Sequence, residues 1–269
     1  MRRIPNTWYD RDCVRCPRLA AHLAETATNH PHYHCRPVPP FGDRRARLLI
    51  VGLAPGLHGA NATGRPFTGD HAGILLYETL YTLGIASISQ SIDTGDGLTL
   101  TDCRITNAVK CLPPQNKPIG TEITACNSYL AAELEAVPIG GVILALGGIA
   151  HHAIAKALKL KVSQIPFGHG TEYPLPDSRF LLSSYHCSRY NTQTRRLTKQ
   201  MFLEGRTDGA FEFVETRRRL DTGIEETMVN RLDFEPKSAR RRLALSLSVS
   251  GHAPDHSYPP KRRKANLRT

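Results

Sequence analysis

The chain has 269 residues, enough to bury a sizeable core without disulfides, and its 35 Lys and Arg against 24 Asp and Glu give a net charge of +11. That excess favours a polyanionic partner, nucleic acid before membrane. No apolar run approaches the ~20 residues of a membrane span, and Met1-Arg2-Arg3-Ile4-Pro5 lacks the apolar stretch of a secretory signal. A soluble cytoplasmic protein is expected, whose seven cysteines serve as metal ligands or buried thiols rather than as a disulfide framework.

In chain order, the apolar runs at 48–51, 103–106, 142–146 and 180–184 predict buried strands, each followed by a loop rich in Gly, Pro, Asn or His. Between them, 74–83, 122–137 and 149–160 carry apolar residues three and four apart and predict helices. Strands apolar throughout, alternating with helices, imply a mostly parallel sheet covered by helices. Ligands bind beyond the carboxyl ends of such strands, which directs attention to the four loops there. From residue 206 onward, 14 Lys and Arg face 9 Asp and Glu. Only 211–220 offers a short helical pattern, and 251–269, with Lys261-Arg262-Arg263-Lys264, reads as a disordered basic tail.

Cys13 and Cys16 form a C-x2-C pair, and Cys111 and Cys126 stand with 14 residues between them. Four thiolates of this kind suit zinc or an iron–sulfur cluster, and the spacing does not decide between them. Cys126 also fits a core position on a helix. Cys103 lies within a strand and reads as a buried thiol, and Cys35 ends His30-Pro31-His32-Tyr33-His34-Cys35, either a metal-like cluster or a loop of surface histidines.

The loop 52–70 is neither a dinucleotide fingerprint, since Gly52, Gly56 and Gly59 have the wrong spacing, nor a phosphate loop, since Arg65-Pro66 stands where Lys and Ser or Thr belong. It offers glycines for close backbone approach, the aromatic face of Phe67 and the carboxylate of Asp70. These parts suit a flat ring stacked on Phe67 and read along its edge. Asp70 fits equally well as a helix N-cap, Asn107 as a turn residue and His186 as a structural histidine.

Gly52-Leu53-Ala54-Pro55-Gly56, the run from Gly64 to Asp70, Asn107 followed by Cys111, and His186-Cys187-Ser188-Arg189-Tyr190-Asn191 together resemble the family 5, or type B, uracil-DNA glycosylases that carry an iron–sulfur cluster. The resemblance extends from about Trp8 to Phe202. It implies a three-layer α/β/α domain over 1–205 with a central, mainly parallel four-stranded sheet, and a basic extension over 206–269. It implies hydrolysis of the N-glycosidic bond of uracil in single- or double-stranded DNA by a monomer, with hypoxanthine as a further substrate. Leu53 replaces the polar residue that most uracil glycosylases carry after the first glycine, as is typical of family 5, so the carboxylate must come from elsewhere. Asp70 is the candidate, orienting water or stabilising the cationic sugar, with Asn107 beside it. His186 would donate to the uracil oxygen that gains charge.

Gly52, Leu53, Ala54 and Phe67 would meet the base, and Ser188, Arg189, Tyr190 and Asn191 the DNA, with Arg189 and Tyr190 filling the gap left by the flipped nucleotide. Cys187 departs from the proline usual in that loop. The resemblance further implies a 4Fe-4S cluster on Cys13, Cys16, Cys111 and Cys126, with Lys117 on a loop lying along phosphates. The rival reading is a non-catalytic nucleic-acid-binding module with structural zinc. It explains the charge and the cysteines, but not the site residues at separate strand ends.

Overall fold

A computed structural model describes residues 8–204. The expected helix at 211–220 and the basic extension lie outside the described residues. The helices are α1 (Pro17–Asn29), α2 (Ala60–Thr63), α3 (His71–Thr82), α4 (Gly120–Glu135), α5 (Gly148–Ala157), α6 (Arg189–Gln193) and α7 (Lys199–Glu204). The strands are β1 (Phe41–Gly42), β2 (Leu48–Gly52), β3 (Cys103–Asn107), β4 (Val142–Leu146), β5 (Thr171–Pro174) and β6 (Phe180–Ser184).

The sheet runs β1-β3-β2-β4-β6-β5. Its four central strands are the four expected ones and are parallel. Two short antiparallel strands, β1 and β5, lie at its edges and raise the sheet to six. Neither carries the apolar signal of a central strand: β1 is two residues long, and β5 alternates half-buried with exposed positions. An edge strand packed on one face alternates in this way.

Successive residues of each central strand face opposite sides of the sheet. Leu48 and Ile50 of β2 pack with Leu76, Tyr77 and Leu80 of α3. Leu49 and Val51 pack with Leu130 and Leu134 of α4 and with Ala150 and Ile154 of α5. Strands buried on both faces are apolar throughout, hence their legibility as runs. A third cluster joins Leu19 and Leu23 of α1 to Val109, Leu112 and Tyr129, against the four paired cysteines. No helix among the described residues is long and apolar enough to cross a membrane.

Candidate active site

Strands β2 and β3 end in register on Gly52 and Asn107. Backbone pairing continues past them, with Ala108 N–H donating to Gly52 O at 2.9 Å and Val109 N–H to Leu53 O at 3.0 Å. A Cβ at position 52 would lie 2.5 Å from Asn107 Oδ1 and 2.6 Å from Phe67 Cζ. Glycine therefore lets these two side chains meet over the strand end. The Asn107 side chain is buried, yet its amide forms no hydrogen bond among the described residues.

Phe67 adopts φ 55°, a strained conformation for an aromatic residue. Its neighbours hold it there. Arg65 Nε donates to Thr68 Oγ1 at 2.9 Å, its Nη1 to Asp96 Oδ1 at 3.0 Å and its Nη2 to Ser91 Oγ at 2.7 Å, while Tyr77 Oη donates to Pro66 O at 2.8 Å. Burial pushes the Asp96 carboxyl up, but Arg65 and the N–H groups of Leu98 and Ile92 outweigh it and hold the group far below the usual carboxylate range. The Phe67 ring so placed lies 5.7 Å from the His186 ring, 25° from parallel.

His186 follows β6 by two residues. Its carbonyl accepts from Asn191 Nδ2 at 2.7 Å, and its ring forms no hydrogen bond among the described residues. Burial lowers its pKa to about 4, so the imidazole is neutral at pH 7, with one ring N–H able to donate. Asp70 caps α3, its Oδ1 accepting from Gly73 N–H at 2.9 Å. Its Oδ2 faces the preceding loop so closely that a Cβ at Gly59 would lie 2.6 Å away. Burial raises the Asp70 pKa, tempered by the N–H groups of Gly73 and Ala72 and by His71. The cap reading and the carboxylate reading of Asp70 are thus compatible, since one oxygen caps while the other lines the loop.

The remaining expected residues have mixed surroundings. Ser188 Oγ caps α6, accepting from Asn191 N–H at 3.4 Å. Asn191 uses its amide to hold the His186 backbone, so its visible work is positional. Arg189 and Tyr190 are exposed at the start of α6, as a tip would require. Cys187 is fully buried in the core beside Asp70. Ala54 packs with Leu57 beside the four cysteines, and Lys117 is exposed, its carbonyl accepting from Arg18 Nη2 at 3.2 Å.

Arg65, Asp96, Tyr77, Lys110 and Glu133 support the site without being among its expected residues. Lys110 is buried and pairs with Glu133, and its Nζ also donates to Asn107 O at 3.1 Å, fixing the end of β3. Its backbone N–H donates to Cys126 Sγ at 3.3 Å. A charged residue within an otherwise apolar segment was the available signal.

Cys13, Cys16, Cys111 and Cys126 line one hollow with Leu19 and Tyr129. Among the described residues, no three His, Cys, Asp or Glu side chains gather tightly enough for a single metal ion. Four thiols around one hollow, with a backbone N–H donating to the Cys126 sulfur, are a donor set that fits an iron–sulfur cluster. Burial first, and then the neighbouring thiols, push Cys111 up to about 12; a bound cationic centre offsets the cost of such a thiolate. The hollow is braced by Arg18 of α1, whose Nε donates to Glu122 Oε1 of α4 at 2.7 Å.

The histidine-rich loop is no such cage. Tyr33 Oη bonds His58 Nδ1 at 2.9 Å, His34 Nε2 bonds Pro37 O at 3.2 Å and Cys35 Sγ accepts from Asn61 Nδ2 at 3.5 Å. Cys103 is buried in β3, as expected.

The profile of the Uracil DNA glycosylase superfamily matches residues 39–208. A type-5 uracil-DNA glycosylase of Thermus thermophilus is 49% identical over 197 residues, covering 71% of this chain and 90% of its own length. The chain belongs to the type-5 uracil-DNA glycosylase family. A type-5 relative from Pyrobaculum aerophilum is 40% identical over 210 residues, covering 74% and 91% of the two chains. A type-4 uracil-DNA glycosylase of Archaeoglobus fulgidus is 33% identical over 164 residues, covering 61% and 70%. In this type-5 family member, Leu53 follows Gly52, and Asp70 caps α3 with its second oxygen turned toward Gly59.

Proposed function

We propose that the chain excises uracil from DNA by hydrolysing its N-glycosidic bond, leaving an abasic site. The observation that carries the reading is the convergence of Phe67, Asn107 and His186, from three separate segments, around the ends of β2, β3 and β6, with the Asp70 carboxylate three residues beyond Phe67 against the loop that follows β2. Cleavage builds positive charge on the sugar and negative charge on the departing base. A site that accelerates it needs an anion near the first and a donor near the second.

In this proposal Asp70 is the anion, stabilising the sugar or orienting the attacking water. Its helix cap holds it in one rotamer before substrate arrives. His186 donates a hydrogen bond to the uracil oxygen from a neutral ring, so no proton has to be lost from an imidazolium. Gly52, Leu53 and Ala54 lie along the base, which stacks by Phe67, and Asn107 turns its unengaged amide to base or water. Ser188 and Asn191 fix the loop that presents Arg189 and Tyr190 to the gap in the duplex, and Lys117 meets phosphate.

Cys13, Cys16, Cys111 and Cys126 would hold a 4Fe-4S cluster. Those four cysteines, so engaged, would tie the start of α1, the loop after β3 and α4 together, a structural service, since hydrolysis transfers no electrons. The glycosylase domain spans 1–205, works as a monomer, and carries a basic extension over 206–269. A single-turnover assay on uracil-containing single and double strands, with a hypoxanthine strand in parallel, tests the activity. The proposal expects abasic sites on the uracil substrates and is overturned by intact uracil strands at enzyme excess.

A further inference from the structure

Beside β1 and the first half of β3, a cleft of about 250 Å³ opens between Trp8, Tyr9, Pro39, Pro40, Arg44 and Arg104. Gly42 and Arg104 pair in register on its floor. Asn107 lies three residues further along β3, roughly 10 Å at strand rise. The cleft is therefore lined by none of the residues assigned to base excision.

Its chemistry is unusual for a surface groove. Arg104 is 1% exposed, and two of its five N–H donors bond carbonyls, Nη1 to Arg44 O and Nη2 to Glu133 O, both at 2.8 Å. Its Nε and the indole Nε1 of Trp8, itself 5% exposed, are buried without a hydrogen-bond partner among the described residues. The guanidinium groups of Arg104 and Arg44 both lie over the Trp8 ring, 4.0 and 5.3 Å from its centroid.

No carboxylate pairs with either arginine among the described residues. Glu133 and Asp43 act on Arg104 only at range. Glu133 Oε1 is engaged by Lys110, and Asp43 Oδ1 accepts from Arg45 N–H. The buried Arg104 guanidinium, with two buried donors unanswered among the described residues, carries a desolvation cost that a bound anion would offset.

We propose that this cleft is a second ligand site, which takes a phosphoryl oxyanion between the Arg44 and Arg104 guanidinium groups and Trp8. A tetrahedral dianion can accept from donors arriving in several directions, whereas a planar carboxylate is matched by a single guanidinium fork. The volume equals roughly eight waters at ~30 Å³ each, room for a phosphate and part of its carrier. The carrier is either a free phosphate compound or a nucleic-acid strand. The inference stands independently of the base-excision reading.

Trp8 is the sole tryptophan of the chain, so its emission reports on this cleft directly. The test titrates the full chain with inorganic phosphate, a uracil-free oligonucleotide and acetate, at ionic strength held constant with chloride. Phosphate should give a saturable change in Trp8 emission, which Arg44→Ala, at an exposed position, weakens about tenfold, the cost of ~1.4 kcal/mol of binding. If the oligonucleotide saturates the same signal and phosphate displaces it, the source is the strand backbone; if the oligonucleotide has no effect, it is a free phosphate compound. The proposal is overturned by emission that does not saturate with either phosphate source, by an undiminished response in Arg44→Ala, or by acetate acting as well as phosphate.

Discussion

Asp70 combines a local structural duty with the proposed chemistry, and the two can be separated by substitution. Asparagine keeps the cap on Gly73 N–H but loses the charge, while alanine loses both. Asp70→Asn should therefore unfold near the wild-type temperature, and Asp70→Ala should be about 1 kcal/mol less stable, both measured by thermal melts. Both should fall by orders of magnitude in the chemical step. The pH dependence follows from the same burial. Burial raises the Asp70 pKa, so ionised Asp70 is lost, and the single-turnover rate with it, as pH falls through a value above that of an ordinary aspartate. His186, with a pKa of about 4, remains neutral from pH 7 down to that region and adds no ionisation of its own near neutrality. A rate that declines below pH 7 in the wild type but not in His186→Ala would contradict a neutral donor.

At the scale of elements, tethers distant in sequence hold the site. Arg65 reaches Asp96 to support the turn that carries Phe67, and Lys110 reaches Glu133 to support the end of β3. Asp96→Ala leaves a buried guanidinium without its partner and should cost about 3 to 5 kcal/mol in urea unfolding. The sign with pH is set by the depressed Asp96 pKa. Stabilisation by the pair is complete above the unfolded-chain value of about 4 and is lost as pH falls from there toward the folded value. The acid-induced loss should be smaller in Asp96→Ala.

These tethers explain what could be read in advance. The four central strands were legible because every position in them packs on one face or the other. Helices α3, α4 and α5 were legible from their spacing. Helix α1 was not, since Leu19 and Leu23 are its only buried large apolar residues, and edge strands β1 and β5 lack a central strand's pattern. Phe67, Asp70, Asn107 and His186 were legible as candidates because each stands within a recognisable motif: Asn107 at the end of β3, His186 two residues beyond β6, and Phe67 and Asp70 in the segment between β2 and α3. Their supports were not, because no local pattern announces that residue 65 meets residue 96 or that 110 meets 133.

For the molecule as a whole, the four-cysteine hollow links the start of α1, the loop after β3 and α4, so if it holds the proposed cluster, loading and folding should be coupled. Cys126→Ser should lose iron and the associated visible absorption and become less stable, whereas Cys103→Ser, in the opposite core, should keep its iron. Equal iron content in the two variants would contradict the ligand assignment. The basic residues beyond 205 lie outside the described residues. If they act through phosphate, removal of 251–269 should weaken DNA binding at low salt and leave the chemical step unchanged.

The central claim is that the residues gathered at the ends of β2, β3 and β6 break the glycosidic bond of uracil in DNA. Its most direct test is the single-turnover rate of abasic-site formation on a uracil-containing duplex, compared between the wild type and Asp70→Asn. Rapid cleavage by the wild type, with a loss of at least about a hundredfold in the variant and DNA binding retained, is the predicted result. Cleavage by Asp70→Asn at near the wild-type rate would contradict the account and move the catalytic burden to Asn107.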